Sequence, residues 1–340
     1  VTMSQDHYVK ALRPITGILL GQIVTMFIGI IALFYLMSLD VPLLHMNVLG
    51  ELTLPAVLAI GGVVAAISLA TSDAATIAIV VSSKAKGPMT TNIISVAVLK
   101  DVVVVIAFSA MTTLAIAAMP EIESTGSLGS AIFNIFLSAI AGCGLGWLLH
   151  LYLKYVGVET LLFLTGLIYT VSFVADQLHL ESALMFIAAG FVAANWSSYG
   201  DKLISEVERL SAPVFVVFFT LAGAKLHLDE VANMALFAMM LVGIRAAAFY
   251  IGVRIGATIS KADEGSRKYS WMGFVSQAGL AITLADSVKN IFPGELGSAL
   301  YSFILAGVAV NEIIGPAMLQ AALSLAGEIP GEAKRSTTKH

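Results

Sequence analysis

The sequence predicts an all-α polytopic membrane protein built on an inverted repeat with two broken helices. Three observations carry that expectation. Hydrophobic residues make up 58% of the 340 positions and charged residues only 12%, about half the roughly 25% usual in soluble domains. About ten stretches approach the roughly 20 apolar residues that a spanning helix needs: near 14–37, 54–82, 89–118, 128–153, 158–175, 180–197, 209–226, 232–258, 269–289 and 297–325. Small polar and acidic residues then recur at matching places in the first three stretches and the last three.

The boundaries between stretches carry ordinary stop signals, such as "KAKGP" at 84–88, "MPEIESTGS" at 119–127 and "FPGE" at 292–295. The opening "VTMSQDHYVKALRP" is polar where a cleavable leader would need an apolar core. Basic residues gather in alternate connections: Lys10 and Arg13, Lys84 and Lys86, Lys154, Lys202 and Arg209, then Lys261, Arg267 and Lys268, and last Lys334, Arg335 and Lys339. The opposite connections hold only Lys225 and Lys289, among acidic Asp40, Glu51, Glu121, Glu123, Asp229 and Glu295. The positive side of such a protein is cytoplasmic, which puts both ends of the chain there. A net charge of −4 offers nothing to a polyanion, so no nucleic-acid partner is expected. The lone Cys143 excludes a disulfide framework or a cysteine metal cluster and reads as a packing residue.

Stretches 14–37, 54–82 and 89–118 form one set of three, and 232–258, 269–289 and 297–325 another of opposite orientation. The middle member of each is interrupted by small polar residues, "LATSDAAT" (69–76) and "FVSQAGLA" (274–281). The third member of each carries a polar–acidic pair, Lys100–Asp101 and Asn311–Glu312. Inverted repeats with broken helices mark secondary transporters, whose sites lie where the breaks meet.

A break in a membrane helix frees backbone groups that hydrocarbon cannot satisfy. Thr71 and Ser72 either supply oxygens at such a break or bond back to carbonyls in an intact helix. Asp73 favours the break, since an intramembrane carboxylate is a functional candidate by default. Asp101 lies about 12 residues into its stretch, roughly 18 Å deep at about 1.5 Å per residue and near the centre of a hydrocarbon core about 30 Å thick. A carboxylate placed there can hold a proton or a cation, but not both well, which is the chemistry of an exchanger. Ser276 and Gln277 line the second break. Arg245 and Glu312, both mid-helix, read as an ion pair that holds the second repeat together, and Lys100 as a possible partner of Asp73. The spacings Gly142/Gly146 and Gly252/Gly256 mark close helix contacts.

At "SLATSDAATIAIV", "SVAVLKDVVVVIAF", "GFVSQAGLAITLA" and "GVAVNEIIGPAMLQAAL" the chain resembles the monovalent cation:proton antiporter superfamily, of the sodium/proton exchanger type. The segment 183–231, ending in a G-x-x-L-x-L pattern, fits the same resemblance. It implies a core domain of two repeats, 14–118 and 232–325, whose discontinuous helices cross at the midplane. It also implies a linker helix over 128–153, scaffold or dimer-domain helices over 158–226 and a cytoplasmic tail over 326–340. Family members usually have two or three further helices before the one at 14–37. By position, Asp101 matches the family's ion-binding carboxylate and Thr71–Asp73 its first break. The residue before that carboxylate is often Asp in electrogenic relatives and Asn in electroneutral ones, whereas this chain has Lys100.

The expectation is then an antiporter, not an enzyme, exchanging protons for Na⁺ or K⁺ by alternating access. Asp101 would be the alternating proton and transient metal-ion site, with Asp73, Thr71 and Ser72 completing the coordination. Lys100, Arg245 and Glu312 would act as modulators. Partners would be the ions, the bilayer and a second copy in a homodimer, in a bacterial or archaeal inner or plasma membrane, with no cofactor. Two other readings stay open: a sodium-coupled organic-anion symporter and a non-transporting sensor on the same scaffold. An intramembrane aspartyl protease using Asp73 and Asp101 would want "GxGD" before one aspartate, where this chain has "AVLKD".

Overall fold

The computed structural model describes residues 5–39, 46–50, 52–119, 128–178, 182–196, 235–277, 279–292 and 294–330, with isolated positions between 180 and 217. These residues are helical almost throughout. The helices are α1 (Gln5–Ser38), α2 (Leu54–Leu69), α3 (Asp73–Ser83), α4 (Pro88–Ala117), α5 (Leu128–Tyr155), α6 (Thr160–Gln177) and α7 (Ser182–Trp196). After them come α8 (Ala235–Ile259), α9 (Glu264–Tyr269), a 3₁₀ turn (Ser270–Phe274), α10 (Gly279–Ile291) and α11 (Gly294–Leu325). A single turn of helix, Asn47–Gly50, precedes α2.

Among the described residues seven segments are long and apolar enough to span a bilayer, against about ten read from the sequence. Three stretches account for the difference. The stretch near 180–197 forms a 15-residue helix, below the span length. The stretch near 209–226 falls almost wholly outside the described residues. The stretch near 269–289 divides into the 3₁₀ turn, a non-helical break over 275–277 and the 13-residue α10. Also outside the described residues are Asp40, Glu51, Glu121, Glu123, Lys202, Lys225, Asp229 and the tail from 331.

The chain divides into two units, Val1–Glu121 with Leu226–His340, and Ile122–Lys225. The first holds both broken helices. Beyond Arg13 its α1 is largely apolar both inside and out: Ile18, Met26 and Ile30 are buried, while Leu20, Val24 and Ile28 are exposed at four-residue intervals. Such a helix suits a bilayer, where the outer face meets acyl chains. Against it lies α8, so closely that a methyl group on Gly21, Gly252 or Gly256 would collide with a carbonyl of the facing helix. Thr25 Oγ1 donates across this seam to the Ala248 carbonyl at 2.7 Å. Without a hydrophobic drive between helices in lipid, such backbone approach is what holds them. Gly252→Val is therefore expected to lower the melting temperature of the purified protein sharply. The same change at Gly243, where a Cβ meets open space, should shift it by only a few degrees.

In the second unit α5 meets α7 by the same device: Gly142 faces the Met185 carbonyl and Gly146 the Ala189 carbonyl. Leu149, Leu153, Leu164, Ala189, Ala193 and Leu203 form its core, and the Tyr152 ring stacks on Phe163 at 3.6 Å. Cys143 is exposed rather than packed inside. On a helix against α7, its neighbour Gly142 takes the contact face, so Cys143 turns about 100° away from it.

Candidate ion-exchange site

Both expected breaks exist, and they touch. Helix α2 stops at Leu69, Ala70 leaves the helical region (φ −57°, ψ 138°), and α3 restarts at Asp73 with Ser72 as its N-cap. Ser72 is suited to that position because its Oγ accepts from the orphan Ala75 amide at 3.3 Å. Its carbonyl accepts from Thr76 Oγ1 at 2.9 Å, and its own amide donates to the Ser276 carbonyl at 3.0 Å. That last bond joins the first break to the second. Helix α11 comes close enough to the second break that a Cβ on Gly315 would collide with the Ser276 backbone.

Breaking two helices in an apolar interior orphans several carbonyls. Arg245 of α8, 1% exposed, takes four of them. Its Nε donates to the Ser68 carbonyl at 2.7 Å, Nη2 to Ala70 at 2.8 Å and to Phe274 at 3.2 Å, and Nη1 to Val275 at 2.5 Å. One guanidinium thus satisfies both breaks at once, which its planar fork of donors allows and an ammonium would not. Gln277 continues the stitching. Its Nε2 donates to the Ile67 carbonyl at 3.0 Å, and its Oε1 accepts from buried Asn311 Nδ2 at 3.2 Å.

The expected Arg245–Glu312 ion pair is therefore not formed. The guanidinium is turned to backbone carbonyls, and Glu312 instead accepts from Ser276 Oγ at 3.4 Å. A buried arginine needs acceptors, and two severed helix ends provide them without any carboxylate. Lys100 does not pair directly with Asp73 either. Its fully buried Nζ lies 4.1 Å from the Phe274 ring centre and 4.6 Å from that of Phe249, with no hydrogen-bond acceptor. Arg245 packs on the same Phe249 ring, 4.7 Å away. The aromatic faces attract the ammonium electrostatically and hold it off the carboxyl oxygens, although it stays close enough to act on both acids through space.

Asp73, at the first turn of α3, and Asp101, 13 residues into α4, come within side-chain hydrogen-bonding reach of each other. Around them sit buried oxygen atoms with no partner: Thr71 Oγ1, Asp73 Oδ1 and Asp101 Oδ1. The carbonyls of Ile67, Ser68, Ala70, Phe274 and Val275 already accept from Gln277 and Arg245, whereas these side-chain oxygens have no partner. Two carboxyl groups within such reach are eased by a proton between them or by a cation that offsets their charges. An all-oxygen donor set suits a hard cation. The structure thus brings together Thr71, Ser72, Asp73, Lys100 and Asp101 at one break, and Ser276, Gln277 and Glu312 at the other, linked through Arg245. Sequence reasoning missed Phe249, Phe274 and the bridging part of Asn311; the polar position of Asn311 inside an apolar run was the one available signal.

Comparison with known proteins identifies the family. The chain matches the family model described as sodium/hydrogen exchanger, transmembrane, over residues 2–325. Among solved structures it is similar to the sodium proton antiporter MjNhaP1 from Methanocaldococcus jannaschii, with TM-score 0.71 and 14% identity over 97% of this chain and 82% of that one. That likeness shows the fold. No curated protein matched the chain. With a family match over nearly its whole length, the chain belongs to the sodium/hydrogen exchanger family and is a multi-pass integral membrane antiporter that exchanges a cation for protons.

Proposed function

We propose that Asp101 is the alternating carrier, holding a proton or the transported cation in turn. Asp73, Thr71 and Ser72 complete the cation's coordination. The observation that carries this reading is the set of partnerless buried oxygens on Thr71, Asp73 and Asp101, whose two carboxyl groups lie within hydrogen-bonding reach of each other. Proton and cation exclude one another there because both neutralise the same pair of acids. Ser276 and Gln277 form the second wall of the site, and Glu312, Arg245 and Lys100 modulate it. Na⁺ is the favoured cargo by family, and K⁺ the other candidate.

With Asp101 as the single working carboxylate, one cation is exchanged per proton, and the cycle is electroneutral. The face bearing Lys84, Lys86, Arg267 and Lys268 is cytoplasmic, as are both ends of the chain. The two repeats move relative to the scaffold helices in alternating access, and the protein works as a homodimer in a bacterial or archaeal membrane. Proton movement in proteoliposomes on addition of Na⁺, K⁺ or Li⁺ tests the reading. The expected result is a response to Na⁺ whose rate does not change when the membrane potential is clamped at different values with K⁺ and valinomycin. A rate that follows the potential overturns electroneutral exchange. No response to any of the ions removes the ion-carrying role from the site.

A further inference from the structure

Helix α4 begins without a cap of its own. Its N-cap residue is Gly87, which has no side chain to offer, and its first helical residue is Pro88, which has no N–H. The amides of Met89 and Thr90 are left as orphan donors at the positive end of the helix dipole. Glu328, almost 240 residues away in sequence, takes both. Its Oε1 accepts from Met89 N at 2.8 Å, and its Oε2 from Thr90 N at 2.8 Å and from Thr90 Oγ1 at 2.6 Å. The Glu328 carbonyl also accepts from Lys86 N at 3.0 Å.

The approach is built rather than incidental. Helix α11 ends in a left-handed turn at Gly327 (φ +71°), with Glu328 N bonded back to the Leu323 carbonyl at 3.1 Å, the arrangement that terminates a helix and reverses its chain. That turn points Glu328 at α4. Gly87 leaves room for it: a Cβ there would overlap the Glu328 carboxyl group and push it from the cap. One turn further along α4, Asn92 Nδ2 donates to Ser266 Oγ at 2.9 Å, and Ser266 is held in turn by Asp263, the cap of α9. The start of α4 is thus fastened to the second repeat at two points, and α4 is the helix that carries Lys100 and Asp101.

We propose that Glu328 is a positioning residue for cation exchange: by capping α4 from the end of the second repeat, it fixes the depth and rotation at which Asp101 meets the first break. The proposal rests on Asp101 being the ion-carrying group. A rigid helix transmits a shift or rotation at Pro88 to Asp101, about 20 Å along at about 1.5 Å per residue, and side-chain networks of this kind couple distant sites by a few-fold to about 30-fold in affinity.

The test uses the full chain in proteoliposomes, with Na⁺ as the probe. Glu328→Ala is expected to raise the half-saturating Na⁺ concentration about fivefold, with the maximal rate held within about twofold of the unaltered protein. Thr90→Val, which removes one of the three bonds to the carboxylate, should produce a smaller shift in the same direction. Glu328→Gln, which keeps acceptor oxygen at the cap, should recover part of the loss. An unchanged half-saturating concentration in folded Glu328→Ala, with only a lower melting temperature, overturns the proposal. If that variant does not fold, Thr90→Val decides, and an unchanged value there overturns it equally. Failure of the underlying reading shows separately, as Na⁺-dependent flux that survives Asp101→Asn.

Discussion

Asp101→Asn is expected to abolish cation-driven proton movement while leaving the protein folded. Asparagine has the shape of aspartate and can still donate to Asp73, so the contact between α3 and α4 persists. What disappears is the negative charge that a cation or proton neutralises in turn. The expected fall in exchange rate is roughly 100-fold or more, the scale on which loss of a proton-transferring side chain is felt. A second readout needs no transport at all. A ligand that binds only the folded state stabilises it by about 2.7 kcal/mol at 100 times its dissociation constant, so Na⁺ should raise the melting temperature of the unaltered protein and leave that of Asp101→Asn unmoved. Exchange or Na⁺ stabilisation that survives would move the carrier role to Asp73, the other acid in contact.

Arg245→Met is expected to cost the most stability of any single change in the first unit. Methionine fills similar volume but leaves the carbonyls of Ser68, Ala70, Phe274 and Val275 without their donor. Each buried acceptor so stranded costs about 1–3 kcal/mol, and four of them rival the whole stability of a typical fold, about 5–15 kcal/mol. The variant should fail to purify as a monodisperse species. Arg245→Lys should fold but melt lower and exchange slowly, because a single ammonium on a shorter stem cannot reach both breaks. Normal melting and exchange in Arg245→Met would mean that water or a relaxed backbone serves these carbonyls instead.

The parts of this protein legible in its sequence are those written as contrast. Thr71, Ser72 and Asp73 stand out because their neighbours are apolar, and Asp101 because depth can be counted in residues from a helix start. The same contrast made the two repeats visible, and the glycine spacings at 142/146 and 252/256 marked helix contacts that the fold contains. What stayed hidden depends on partners without a sequence signature. Arg245 bonds to backbone carbonyls, which every residue has, so the sequence offers it only Glu312, the other mid-helix charge of the second repeat. Lys100 rests on Phe249 and Phe274, two of 17 phenylalanines in a chain rich in them. Glu328 lies past the last apolar stretch, where a single acid looks like ordinary tail. Span counting also failed at the second break, since an interrupted helix keeps the hydropathy of an intact one.

The bond between Ser72 and Ser276, together with Arg245, has a consequence for how the protein is made. Ala70 and its donor Arg245 are 175 residues apart, and ribosomes add about 5–20 residues per second. The first break is therefore in place for about 10 to 35 s before the side chain that completes it has been synthesised. During that interval severed helix ends and two acids must be sheltered by the insertion machinery or by water. The ion site therefore closes late, only once the second repeat has been made.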